Sequence, residues 1–131
     1  MLLVLDIGNS TTVFGLFDNK VLVNTMRIES SYLNSKSAIL KTLNNFIDSS
    51  HNPSAEFQGV VITSVVPKTL EMFINVLSSK LHIQPFIISA TMKVGLTIRY
   101  KNIKALGSDR FCNIVAVANK YHGIYLRRYH H

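Results

Sequence analysis

Apolar positions along this chain follow two periods, one close to 2 and one close to 3.6 residues. Leu2–Ile7 is a short apolar run interrupted only by Asp6, Gly8-Asn9-Ser10 is a turn-forming cluster, and Thr12-Val13-Phe14-Gly15-Leu16-Phe17 resumes the run, which predicts a β-hairpin. Asp18-Asn19-Lys20 is a second turn, and Val21–Ile28 returns to strand-like alternation, so three antiparallel strands open the fold. Between Ser35 and Ser50 the period changes: Ala38, Ile39, Leu43, Phe46 and Ile47 recur at helical spacing, with Ser or Asn residues available as the starting cap.

His51-Asn52-Pro53-Ser54 is a loop. Gly59–Val66 is nearly continuous and β-branched, as expected of a strand buried on both faces. Pro67 stands where a helix would begin, and Leu70, Met72, Phe73, Val76, Leu77 and Leu81 give that helix an apolar stripe. Pro85–Ser89 predicts another buried strand, and Ser108–Tyr121 a last helix packed through Phe111, Ile114, Val115 and Ala118. The order β-β-β-α-β-α-β-α belongs to the α/β class. Three antiparallel strands followed by crossovers fit a mixed five-stranded sheet with flanking helices rather than an all-parallel doubly wound sheet.

Composition narrows the setting. The 131 residues are 47% hydrophobic and 16% charged, enough apolar content for one globular domain and too much for a disordered chain. The longest apolar stretches, Met1–Leu5 and Gly59–Ile62, fall far short of the roughly 20 residues needed to cross a bilayer. No basic leader precedes the first run, so no membrane association and a cytoplasmic location are expected. Cys112 is the only cysteine, which excludes an intrachain disulfide and a cysteine zinc cluster; it is expected to be a packing residue. His51, His82 and His122 stand singly without metal-ligand spacing and are expected to be solvated, and His130-His131 resembles a piece of a tag.

The formal charge of +7 is unevenly spread: from Lys93 to Arg128 there are eight Lys or Arg residues and one acid, Asp109. That region favours anions. Phosphorylated small molecules and nucleic acid match a basic surface equally well, but no aromatic-interleaved nucleic-acid module is present.

Two segments carry candidate chemistry. The first, Asp6-Ile7-Gly8-Asn9-Ser10-Thr11-Thr12, occupies the turn of the predicted hairpin and is neither a Walker loop nor a dinucleotide fingerprint. Gly8 lets the backbone approach an anion, Asn9, Ser10 and Thr11 can donate to phosphate oxygens, and Asp6 can hold Mg²⁺. The same Asn-Ser pair can also serve as a plain turn. Against that stands Asp6, because an acid ending an apolar strand is costly to bury unless paired or bound to a cation. The second segment, Gly107-Ser108-Asp109-Arg110, suits a helix start with Ser108 as cap and Asp109 in the first turn, and equally a site with an acid beside a cation.

Three motifs taken together resemble the type III pantothenate kinases. They are Asp6-x-Gly8-Asn9-Ser10 after an apolar start, Thr63-Ser64-Val65-Val66-Pro67, and Tyr100-Lys101-Asn102 followed by Leu106-Gly107-Ser108-Asp109-Arg110 and Asn113. The resemblance implies an actin-like ATPase (ribonuclease H-like) domain over residues 1–123, one half of a two-domain fold. It also implies transfer of the γ-phosphoryl group of ATP to pantothenate, the first step towards coenzyme A. In that family pattern Asp6, Gly8, Asn9, Ser10 and Thr11 match the first phosphate motif, with Asp6 as the Mg²⁺ ligand. Asp109 matches the general base, and Tyr100, Gly107, Ser108 and Arg110 match the substrate pocket. Thr63, Ser64 and Pro67 are read as structural: hydroxyls that end a strand and a proline that opens a helix.

The resemblance further implies a need for K⁺ or NH₄⁺ and a homodimer. Family members are about twice this length, and residues 124–131 depart from their pattern. The tail is therefore expected to be aberrant or truncated, and the isolated chain inactive for want of the second phosphate loop, the adenine site and the monovalent-cation ligands. A non-catalytic regulatory homologue with the same fold is the alternative.

Overall fold

A computed structural model describes residues 1–18, 21–50 and 59–88. The predicted helix over Ser108–Tyr121, the basic stretch from Lys93, and the residues Tyr100, Gly107, Ser108, Asp109 and Arg110 lie outside the described residues.

Five strands form one sheet in the order β3-β2-β1-β4-β5. The chain runs through β1 (Leu2–Ile7), β2 (Thr11–Asp18) and β3 (Val21–Glu29), then a 3₁₀ turn at Ser30–Tyr32, α1 (Lys36–Ser50), β4 (Gly59–Ser64), α2 (Pro67–Lys80) and β5 (Phe86–Ile87). β1 pairs antiparallel with β2 and parallel with β4; β2–β3 is antiparallel and β4–β5 parallel. This is the mixed five-stranded sheet with flanking helices that the element order implied. Among the described residues, no helix is long and apolar enough to cross a membrane.

One face of the sheet supplies Leu3, Leu5, Ile7, Phe14, Leu16, Val60 and Ile62 to a single core with Ile39, Leu43 and Phe46 of α1 and Phe73, Val76 and Leu77 of α2. Alternation places Leu2, Val4, Val13, Phe17 and Val61 on the other face, and these too are buried. Burial on both faces explains why β1 and β4 are nearly continuous apolar runs. β3, at the sheet edge, has no fully buried residue and carries polar Asn24, Arg27 and Glu29, which blunt an exposed edge.

Helix ends follow local chemistry. Ser35 caps α1: the Ala38 N–H donates to Ser35 Oγ at 3.1 Å and the Ile39 N–H to the Ser35 carbonyl at 3.0 Å. Ser35→Ala is expected to lower the unfolding free energy by about 1 kcal/mol, read as a shift of the urea midpoint at unchanged slope; no shift would mean that water replaces the cap. Pro67 occupies the first turn of α2. At the other end of α2, His82 adopts φ 55° and is exposed, and the Ile83 N–H closes back on the Leu77 carbonyl at 2.9 Å.

The structure corrects three boundaries and adds one element. β2 begins at Thr11, not Thr12, because the β2–β3 ladder reaches Thr11 opposite Glu29. β4 ends at Ser64, two residues short of the predicted Val66. There Ser64 Oγ accepts from the Val66 N–H at 2.9 Å and donates to the Val66 carbonyl at 3.0 Å, turning the chain out of the sheet. β5 is a two-residue strand rather than a buried run over Pro85–Ser89, and Ile87 at its end is 37% exposed. The 3₁₀ turn at Ser30–Tyr32 had no sequence signal.

Candidate phosphate-binding turn

The strand order reverses between β1 and β4. From β1 the chain passes to β2 on one side; from β4 it passes through α2 to β5 on the other. In α/β sheets the crevice at the carboxyl ends of strands flanking such a reversal is where ligands bind. Ile7 and Ser64 lie side by side there, and the Val65 N–H donates to the Ile7 carbonyl at 3.0 Å. The segment Gly8–Thr11 leaves β1 at this edge.

Residue by residue, the turn is built as follows. Gly8 is buried and its N–H donates to the Thr11 carbonyl at 3.0 Å. Asn9 and Ser10 form the exposed tip. The Gly8 carbonyl accepts from Ser30 Oγ at 2.6 Å, and the Ser10 carbonyl from the Ser30 N–H at 2.9 Å. The carbonyl oxygens of Gly8, Ser10 and Thr11, which would repel an anion, are thus each occupied by a donor of the protein. Asn9 and Ser10, both with side chains able to donate hydrogen bonds, are the exposed residues at the tip. Thr11 is half-buried in the first position of β2.

Asp6 is 2% exposed and lies opposite Val13 on one side and Thr63 on the other, on the sheet face away from α1 and α2. Among the described residues no group of three His, Cys, Asp or Glu side chains could cage a metal ion. The chemistry of a single carboxylate is compatible with Mg²⁺, which keeps most of its waters and takes one or two carboxylates plus substrate phosphates. Of the structural readings, Thr63 Oγ1 donates to the Ile88 carbonyl at 3.1 Å and so ties β4 to the segment after β5. Ser64 and Pro67 end the strand and start the helix, as expected of them. Asp6, Gly8, Asn9, Ser10 and Thr11 are therefore brought to one sheet edge. Ser30 belongs to this neighbourhood and was not anticipated; its only advance signal was register, since a hairpin that pairs Thr11 with Glu29 sets Ser30 opposite Ser10.

A mixed α/β sheet with a tight Gly-Asn-Ser turn at its point of reversal defines the class to which the described residues belong. The description that fits within that class comes from sequence comparison. A family model described as type III pantothenate kinase matches residues 2–126. A type III pantothenate kinase of Syntrophus aciditrophicus (strain SB) is 36% identical over 121 residues, covering 92% of this chain and 48% of the relative. That of Halalkalibacterium halodurans is 33% identical with the same coverage. The chain belongs to the type III pantothenate kinase family, and it spans about half the length of the curated relatives it matches. By shape it is similar to a putative N-acetylglucosamine kinase of Porphyromonas gingivalis, with TM-score 0.47 and 16% identity over 68% of this chain and 34% of the other. It is also similar to an Aquifex aeolicus PPX-GPPA enzyme, with TM-score 0.42 and 12% identity over 67% and 35%. Those two likenesses are loose, and the family assignment rests on sequence.

Proposed function

We propose that the protein carrying this chain transfers the γ-phosphoryl group of ATP to the primary hydroxyl of pantothenate, the first step towards coenzyme A. The observation that carries this reading is the family match over residues 2–126, which takes in both the Gly8–Thr11 turn and the Gly107–Arg110 segment. A bond forms between the pantothenate hydroxyl oxygen and the γ-phosphorus while the bond from that phosphorus to the β–γ bridging oxygen breaks. The hydroxyl proton passes to the Asp109 carboxylate, and ADP leaves. Gly8, Asn9, Ser10 and Thr11 hold the phosphate chain, Asp6 holds Mg²⁺, and Tyr100, Gly107, Ser108 and Arg110 line the pantothenate pocket. Bound Mg²⁺ supplies neutralisation of phosphate charge. A K⁺ or NH₄⁺ requirement, a homodimer and a cytoplasmic location complete the reading.

Phosphoryl transfer depends on positioning and charge stabilisation from both sides of the nucleotide, so the 131-residue chain alone is expected to show no turnover above background. The same chain joined to the second half of a relative is expected to be active. A coupled assay with ATP, Mg²⁺, K⁺ and pantothenate checks both expectations. Turnover by the 131-residue chain alone would contradict its inactivity. A folded but inactive extended protein would contradict the kinase reading. Replacing K⁺ by Na⁺ and varying protein concentration in that assay address the monovalent ion and the dimer.

A further inference from the structure

Ser30 lies outside every motif named above, yet it binds the candidate turn at two carbonyls. We propose that Ser30 is a positioning residue: it fixes the spacing of Gly8 and Ser10 so that the turn fits a nucleotide's phosphate chain. This inference rests on the phosphate reading of the turn.

The β2–β3 register pairs Thr12 with Ile28 and Thr11 with Glu29, and one step further sets Ser30 opposite Ser10, where the Ser30 N–H donates to the Ser10 carbonyl at 2.9 Å. Ser30 Oγ donates to the Gly8 carbonyl at 2.6 Å and lies 2.9 Å from Thr12 Oγ1. A serine hydroxyl has one hydrogen, and here it is committed to Gly8; Thr12 Oγ1 is therefore the donor in the second contact. Thr12 is fully buried, so this chain of hydroxyls runs from the sheet interior to the back of the turn. The Ser30 carbonyl accepts from the Leu33 N–H at 3.0 Å, and Leu33 is part of the core. Backbone N–H, carbonyl and side chain of Ser30 are all engaged, and the residue is anchored to packed structure on its far side.

The β1–β2 ladder ends at Ile7 opposite Thr12, leaving Gly8–Thr11 as a four-residue connection, a length most often built around a type I turn that needs no positive φ. Neither Asn9 nor Ser10 has positive φ; His82 is the one described non-glycine residue that does. The turn thus has ordinary torsions, and Ser30 adds hydrogen bonds that hold its Gly8 and Ser10 carbonyls in place. Strand alternation puts Thr12 and Phe14 on the helix face, and Asp6, paired with Val13, on the opposite face. Ser30, bonded to Thr12, supports the turn from the side away from Asp6 and has no need to touch the ligand.

The test uses, as parent, the ¹⁵N-labelled chain joined to the second half of a relative, with its Ser30→Ala and Ser30→Thr variants, amide hydrogen exchange at Gly8 and a chemical-shift titration with MgATP. Loss of a partly buried hydroxyl donor is expected to speed Gly8 exchange about 10-fold and weaken MgATP binding about 10-fold in Ser30→Ala. Ser30→Thr should restore both readouts. Unchanged Gly8 exchange overturns the brace. Faster exchange with unchanged MgATP affinity overturns the positioning role, as does failure of threonine to rescue. A parent that binds no MgATP overturns the phosphate reading itself and the role assigned to Ser30 with it, an outcome distinct from a parent that binds while Ser30→Ala binds equally well. Should Ser30→Ala fail to fold, Ser30→Cys keeps the volume while weakening the hydrogen bonds, and the same outcomes apply.

Discussion

Phe14→Ala is expected to lower the unfolding free energy of this protein by about 3–5 kcal/mol. Phe14 is 0% exposed and stands on β2 where both helices meet the sheet. Its ring lies 5.5 Å from that of Phe46 on α1, at an interplanar angle of 61°, and 6.2 Å from that of Phe73 on α2, at 57°. Each such pair adds about 0.5–1.5 kcal/mol to the burial of the ring itself. Truncation to alanine opens a cavity at the junction of three elements, and no one of them can move in to fill it without leaving the other two. Domains of this size are stable by only about 5–15 kcal/mol, so the variant should sit close to its unfolding threshold. Urea denaturation followed by circular dichroism measures the effect. A loss below about 1 kcal/mol would mean that α1 and α2 do not close on Phe14. Phe14→Leu, which keeps most of the volume, should recover the larger part of the loss.

Asp109→Asn is expected to lower kcat for pantothenate phosphorylation by a factor of about 10²–10⁴, measured in the chain joined to the second half of a relative. Asparagine keeps the size of the side chain and its ability to accept a hydrogen bond at a helix start, but it cannot take the hydroxyl proton. The substitution therefore separates the two readings of Gly107-Ser108-Asp109-Arg110. A base gives a large loss in kcat with little change in stability. A helix-start acid gives near-parental kcat with a loss of about 0.3–1 kcal/mol in stability, because the interaction with the helix dipole goes with the charge. Near-parental turnover would remove Asp109 from the chemistry and leave the acceptor's proton without an assigned base.

Much of the architecture is legible in the chain because its causes are local. The change of period between Val21–Ile28 and Ser35–Ser50 marks the passage from strand to helix, and Ser35 and Pro67 mark helix starts through bonds or torsions spanning four residues or fewer. The candidate phosphate turn is legible for the same reason: Asp6, Gly8, Asn9, Ser10 and Thr11 lie within six residues, and an acid ending an apolar strand next to Gly-Asn-Ser is chemically conspicuous wherever it folds.

Other features were decided only in three dimensions. Nothing in the pattern of β1 shows that it runs between an antiparallel β2 and a parallel β4, yet that placement sets the turn at the point of reversal. The end of β4 at Ser64 and the brevity of β5 depend on which backbone groups find partners across the sheet, where apolar runs such as Val65-Val66 and Ile87-Ile88 give no warning. Ser30 is the sharpest case. Twenty-two positions separate it from Gly8, and the two meet because the β1–β2 and β2–β3 registers together bring the end of β3 behind the turn. The sequence by itself determined the strands and helices of the described residues, apart from their ends, and the run of polar residues at the β1–β2 turn. The tertiary structure decided strand order, strand ends and the support of that turn, because hydrogen bonds between distant residues depend on register, and register is set by which faces the core buries.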